Sequence, residues 1–523
     1  MSKVFDALVD GDDDGLVRAL REGADPEARE HGETPLYRAA VANRPVAVRV
    51  LLAAGADPGR GSGEDDGDLP LCGAACGGHA EVVRALLAAG AEPDQEEAYG
   101  FTALAWAVRL GHTEVVRALL EAGADPGRPG PDGLAPLTAA ARRGSASVVR
   151  ALLDHGAGRD REGLAEALAE ARRWIGVDMA AVLRRGLVES GGTGDTYEAV
   201  VRRVPEDGGV TVVVELLRED GAPSRGDERQ TSHAAVATLL EGALGIRVTE
   251  EELAARALRC GASDRDDWLT AVAALADRAD ETVLASASAW CAGPEPLRRA
   301  LAARVLAALP PAARPSALPL LRRLARETSG SLSPSAAGGP APDADARPAG
   351  GTGLAEQETA EKELALAVVF ALGECGDSGV VPELRAFAGH LEPEVRRQVA
   401  ASLTGLVPAG DGEAVAVLVG LSRDHDPRVR DWATLALAEV PGDLPAVREA
   451  LAARLADPDP DTAAEAARGL AIRQDPRAVG ALARILADGD PEGAPRETAL
   501  AALEHVRDPR IRTRLEWTTP RCR

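Results

Sequence analysis

The chain has 523 residues, enough for several core-sized units, and a hydrophobic content of 45% that suits folded protein rather than disorder. A formal charge of −24 disfavours nucleic acid and anionic membrane surfaces, whose binding rests on clustered Lys and Arg, and suits a protein partner with a basic face. Aromatic residues make up only 2%, so the core must be built from Leu, Val and Ala, which let helices approach closely and favour stacked helix pairs.

Six cysteines scattered over so long a chain make no disulfide framework. No apolar run approaches the length of a membrane span, and the opening MSKVFDALVDGDDDG has no apolar signal core. These features predict a cytoplasmic chain without a membrane partner.

In chain order, a turn signal repeats first: GADP at Gly23 and Gly55, GAEP at Gly90, GADP at Gly123 and GAGR at Gly156, in steps close to thirty-three residues. Ahead of these turns stand TPLYRAA from Thr34, LPLCGAA from Leu69, TALAWAV from Thr102 and APLTAAA from Ala135. Within EVVRALLEAG, Val115, Val116, Leu119 and Leu120 form one helical stripe to be buried, and Gly123 suits the left-handed helix end. Thr34 and Thr102 are natural N-caps, and Pro35 suits the first helical turn. This pattern resembles the ankyrin repeat, a turn plus two helices, over residues 1–190. The stretch GLAEALAEARRWIGVDMAAVLRRGLVESGG keeps the helical rhythm without the consensus and reads as a closing cap.

Next, TYEAVVRRV and VTVVVELLRED flank PEDGG and predict a β-hairpin, followed by helices in TSHAAVATLLEGALGI and TEEELAARALRCG. Residues 191–265 thus read as a connector. From residue 266 to 523 a second helical period runs through EPEVRRQVAASL at Glu392, DPRVRDWATLAL at Asp426, DPDTAAEAARGL at Asp459 and DPEGAPRETALAAL at Asp490. Each opens with an acid and a proline, an N-cap followed by the first helical residue. These segments resemble HEAT repeats, including the short HEAT-like form of phycobilin lyase subunits. Residues 327–353, rich in Ser, Pro, Gly and Ala, predict a disordered insertion within that array. The expected fold is all-α: a double α-solenoid, ankyrin repeats followed by HEAT-like repeats, with a small connector that contains a β-hairpin.

Chemistry-bearing patterns are few. Cys72, Cys76 and His79 share one helical face at zinc-ligand spacing, but no fourth ligand or CxxC knuckle accompanies them. The ankyrin resemblance instead places the cysteines in helix packing and gives His79 and His112 inter-repeat contacts. Asp10, Asp12, Asp14 and Gly15 match the start of a calcium loop, whose closing carboxylate position falls on Arg21. No GxxxxGK[ST], HExxH, GxSxG or CxxC occurs. Neither metal, cofactor nor catalytic residue is expected.

The resemblance implies a protein-protein interaction scaffold or regulatory adaptor acting as a monomer, with an auxiliary subunit or enzyme of the HEAT-like lyase type as the alternative. In ankyrin proteins the turn tips and the exposed side of the first helix form the binding face. Carried over residue by residue, that face comprises Glu33, Arg38 and Ala42, then Phe101, Trp106, Arg109 and Leu110, then Leu134, Arg142 and Arg143. Tyr99, Phe101 and Trp106 cluster in an aromatic-poor chain, either as interface hot spots or as filling in the stack. In the second array Arg396 and Arg430 recur at one position, which the HEAT resemblance assigns to contacts between repeats. Asp424, Asp426, Asp457, Asp459, Asp461, Asp488 and Asp490 line up as an acidic edge, either solvated or open to a basic partner.

Overall fold

The computed structural model describes residues 3–63, 65–191, 198–218, 221–331, 351–490 and 492–518. The chain divides into two compact units, Met1–Cys260 with Asp264–Ala271, and Gly261–Ser263 with Val272–Arg523.

In the first unit short helices come in pairs: Pro35–Val41 with Pro45–Ala53, Pro70–Cys76 with Ala80–Ala88, Ala103–Leu110 with Thr113–Glu121, and Pro136–Arg143 with Ala146–Asp154. Local chemistry sets their ends. Thr34 Oγ1 accepts from the Tyr37 amide at 3.3 Å and Thr102 Oγ1 from the Ala105 amide at 3.1 Å, caps worth about 1 kcal/mol each. At the far end Gly123 adopts φ 94°, a left-handed turn that lets the amides of Gly123 and Ala124 return to the carbonyls of Leu120 and Leu119 at 3.0 Å. The predicted stripe of Val115, Val116, Leu119 and Leu120 is buried in the core shared by successive pairs. Each such side chain contributes about 1.5–3 kcal/mol, so the pairs cohere by stacking.

Neighbouring pairs are also tied by histidine. His79 Nε2 donates to the Val41 carbonyl at 3.1 Å, and His112 Nε2 to the Cys76 carbonyl at 3.0 Å, each reaching back one repeat. Cys72 is buried with its thiol 3.8 Å from the Phe101 carbonyl. Asp12, in the acidic N-terminal turn, caps the helix Asp13–Arg21 by accepting from the Gly15 amide at 2.8 Å.

The helix Arg161–Trp174 continues the apolar core through Leu164, Ala167, Leu168 and Ala171. The helix Met179–Gly191 departs from the closing-cap reading: its Met179, Leu183 and Leu187 pack against Val212, Val214 and Leu216 of a sheet. That sheet has three antiparallel strands in sequence order, β1 (Glu198–Glu206), β2 (Gly209–Leu217) and β3 (Pro223–Gln230). The expected hairpin is β1–β2, turning at Asp207 and Gly208, whose φ values of 46° and 80° are the left-handed pair a tight hairpin needs. The third strand is an addition. The helix His233–Leu244 then joins the core of the repeats through Ala235, Val236 and Leu240, its start capped from afar by Asp267 Oδ1, which accepts from the Ala235 amide at 2.7 Å.

In the second unit the helices Pro393–Leu403, Pro427–Glu439 and Pro460–Ile472 begin at the predicted acid-proline pairs. Asp426 and Asp459 cap by side chain, whereas Glu392 forms no side-chain cap bond. The helix Ala494–Ala502 starts on Gly493 rather than Asp490, with Pro495 in its first turn. Arg396 grips Asp424 of the next repeat at 2.7 and 2.8 Å, and Arg430 grips Asp457 at 3.0 and 2.9 Å. The arginines occupy the inter-repeat role that the HEAT resemblance implies. Four of the seven aspartates of the acidic edge are thereby engaged inside the protein, Asp424 and Asp457 with arginine and Asp426 and Asp459 as caps.

The predicted disordered insertion needs correction at both ends. Residues 327–331 complete the helix Arg314–Ser331, and residues 351–353 begin the helix Gly351–Glu374. Thr328 is buried there, its hydroxyl satisfied by the Leu324 carbonyl at 2.9 Å, so this polar side chain is tolerated within the helix. Residues 332–350 lie outside the described residues.

Candidate functional site

The face expected to bind a partner carries a cleft of about 380 Å3 in the first unit. Phe101, Arg109, Leu110, Leu134, Arg142 and Arg143 line it from the repeats, and Asp227, Glu228 and Arg229 line it from β3. Six of the predicted residues therefore meet in one place. Glu33 and Arg38 lie outside the lining and pair with each other at 2.6 Å, and Ala42 is an exposed helix end.

The aromatic cluster is built in two layers. Phe101 stacks on Trp106 with ring centroids 4.2 Å apart, and Trp106 Nε1 donates to Glu97 Oε1 at 2.7 Å, which fixes the indole on its polar side. Burial pushes the Glu97 carboxyl above its usual range, and the Trp106 bond pulls the other way. Tyr99 is 78% exposed and stays outside the lining. The Arg109 guanidinium lies 5.9 Å from the Phe101 ring centre on the exposed side, within reach of a cation–π contact.

Deeper in the cleft the charges are bound. Arg143 is 7% exposed and donates to Glu228 Oε1 at 2.8 Å and to the Arg109 carbonyl at 3.1 Å, so it holds β3 against the repeats. That burial departs from the open face on which the sequence placed it. Arg142 donates to Glu170 Oε1 at 2.9 Å. Burial alone would raise the Glu170 carboxyl, but hydrogen bonds from Arg142 and Trp174 bring it below its usual range. Arg229 lies over Trp174 at 4.8 Å.

The β3 contribution escaped the sequence reading. PSRGDERQ has no β-branched or aromatic residue and carries the charges typical of an edge strand, so it sends almost no strand signal. The lining combines Phe101, stacked on Trp106 that packs behind it against the repeat core, with the peripheral Arg109 guanidinium and a charged strand edge.

Models of ankyrin repeats match residues 31–61, 59–129 and 132–162, and a model of HEAT repeats matches residues 354–438. The chain carries ankyrin repeats and HEAT repeats. No curated protein matches it. Both repeat types characteristically serve as protein-interaction modules, and their presence supports a repeat scaffold for protein binding. Among the described residues no helix is long and apolar enough to cross a membrane.

Proposed function

We propose that this chain is a cytoplasmic, non-catalytic adaptor that works as a monomer and captures a protein partner in the cleft between the ankyrin repeats and β3. The observation that carries the reading is the Phe101–Trp106 stack beside Arg109, whose side chain is exposed and has no ion-pair partner among the described residues. Trp, Tyr and Arg dominate interface hot spots because they bury area and hydrogen-bond at low entropic cost. Tyr99, Leu110, Leu134 and Arg142 flank the anchor, and Glu33, Arg38 and Ala42 extend the face toward the N-terminus. Arg143 serves the site by positioning β3. The overall charge of −24 draws in a partner with a basic surface, while Arg109 takes one of its acidic or carbonyl groups.

The test is affinity capture from cytosol with quantitative mass spectrometry, comparing the parent chain with Arg109→Glu and Trp106→Ala. One set of proteins should be lost from both variants, with the melting curve of Arg109→Glu unchanged. Retention by Arg109→Glu would remove the cleft from the reading. A co-purified chromophore or metal in place of a protein would favour the lyase-type alternative.

A further inference from the structure

A second cavity, of about 460 Å3, opens elsewhere in the first unit, where the helix Arg161–Trp174, β1, β2 and the segment around Arg265 converge. Its walls include Trp174, Ile175 and Val212, and three arginines line it: Arg203, Arg259 and Arg265. Arg203 stands directly across from Val212 in the β1–β2 register, so the hairpin presents a guanidinium and an apolar wall side by side. Arg265 donates to the Gly209 carbonyl at 3.0 Å, which ties its segment to the start of β2. Neither Arg203 nor Arg259 has an ion-pair partner among the described residues.

The carboxylates in the same lining are occupied. Asp267 accepts from the Ala235 amide at 2.7 Å, and Asp178 accepts from the Ala181 amide at 3.2 Å. His233 is buried and donates from Nε2 to the Arg142 carbonyl at 3.2 Å. Burial pushes it down to about 4, so it stays neutral near pH 7 and adds no charge of its own. The lining carries three cations against two acids, a locally positive site inside a chain of net charge −24, with Arg265 also 3.6 Å from Asp264 and Arg259 facing the Asp267 carboxyl. Its volume falls in the range that encloses a small molecule rather than a macromolecular face.

We infer that this cavity binds a small organic anion of the phosphate-monoester class, its flat apolar body against Trp174, Ile175 and Val212 and its doubly charged head held by Arg203, Arg259 and Arg265. Planar guanidinium forks match the oxygens of a phosphate, and several of them together favour a dianion over a single carboxylate. The inference is independent of the partner-binding cleft, with which this cavity shares no lining residue.

The test is isothermal titration of the full chain with phenyl phosphate, beside benzoate, inorganic phosphate and benzyl alcohol. Phenyl phosphate should bind, benzoate and inorganic phosphate more weakly, and benzyl alcohol not at all. The double variant Arg203→Gln/Arg259→Gln should lose about tenfold or more in phenyl phosphate affinity with an unchanged melting temperature, since both side chains are exposed. If the double variant melts early, Arg259→Glu alone carries the same expectation. Absence of phenyl phosphate binding, equal binding of any of the other three probes, or full affinity in the arginine variants would each overturn the assignment.

Discussion

Arginine ties repeats together in both arrays, but buried in one and exposed in the other. Across the HEAT repeats Arg396 and Arg430 turn inward: their side chains are 16% and 12% exposed, and the Asp424 and Asp457 carboxylates they grip are 10% and 1% exposed. Among the ankyrin repeats His79 and His112 make joints to backbone carbonyls, the arginine pairs Arg49–Glu81, Arg84–Glu114 and Arg128–Glu96 lie exposed, and Arg109 is left at the surface beside Phe101 without a carboxylate among the described residues. An arginine with a carboxylate one repeat further on is held by the stack, tightly where the pair is buried and loosely where it is exposed. One without such a partner remains free to bind something else. Arg109 and Arg142 show the two outcomes at equivalent positions of successive repeats, because only Arg142 finds a carboxylate, that of Glu170.

The largest expected effect breaks a joint of the charged kind. Arg430→Ala leaves Asp457 buried with Arg454 at 3.0 Å and the Asp459 amide at 3.1 Å, and should cost about 2–4 kcal/mol in urea unfolding of the full chain. The Arg430 fork also holds the carbonyls of Asp424 and His425, at 3.1 and 3.2 Å, which lose their donors in the same variant. A loss below about 0.5 kcal/mol would place this pair among the surface bridges and erase the contrast between the arrays.

In the N-terminal unit the sharper handle is pH. His233 titrates near 4 when folded against an ordinary 6.5, so the folded state binds fewer protons and stability is lost as pH falls from 6.5 toward 4. Asp267 acts in the opposite sense. Burial lifts it to about 6, so its contribution improves as pH falls from 6 toward 4. The two offset each other, each at about 2–3 kcal/mol or less. His233→Gln isolates the aspartate. Amide exchange in the helix His233–Leu244 should then slow between pH 6 and 4, after correction for intrinsic rates, where the parent stays nearly level. Equal pH dependence in parent and variant would show that His233 is not buried neutral.

Breaking a histidine joint should cost less. His112→Ala removes one exposed hydrogen bond to the Cys76 carbonyl, and an unfolding loss of about 0.5–1.5 kcal/mol is expected. A loss as large as that of Arg430→Ala would make the two kinds of joint equivalent and defeat the comparison.

What could be read from the sequence divides along the same physical line. The repeats were legible because cap, stripe and turn recur together: Thr102, Val115 with Leu119, and Gly123 each point to the same helix pair, and each stands where expected. The aromatic side of the cleft was legible as well, since Phe101, which lines it, and Trp106, which backs Phe101 from the repeat core, stand out in an aromatic-poor chain. Its other wall was hidden. Asp227, Glu228 and Arg229 reach the cleft through an edge strand without β-branched residues, and their approach depends on one long-range pair, Arg143 with Glu228, that no local periodicity encodes. The cap on the helix His233–Leu244 was hidden for a like reason. Ser232 occupies the N-cap position without a side-chain cap bond, and the hydrogen bond comes instead from Asp267, a residue far along the chain.

The smallest effect concerns an acid that the HEAT array does not pair. Asp431 is pushed up to about 6, first by burial and then by the charges of Asp459, Asp461 and Glu465. Because its folded value lies above the unfolded one, ionisation costs stability as pH rises through 6, and the cost vanishes as pH falls toward 4. Asp431→Asn removes the charge while keeping the shape. It should raise the urea midpoint slightly at pH 7.5, by less than about 1 kcal/mol given that the group is half-exposed to water, and leave it unchanged at pH 4. A variant less stable than the parent at pH 7.5 would mean that Asp431 is paired after all, and that the HEAT array spends its acids as fully as its arginines.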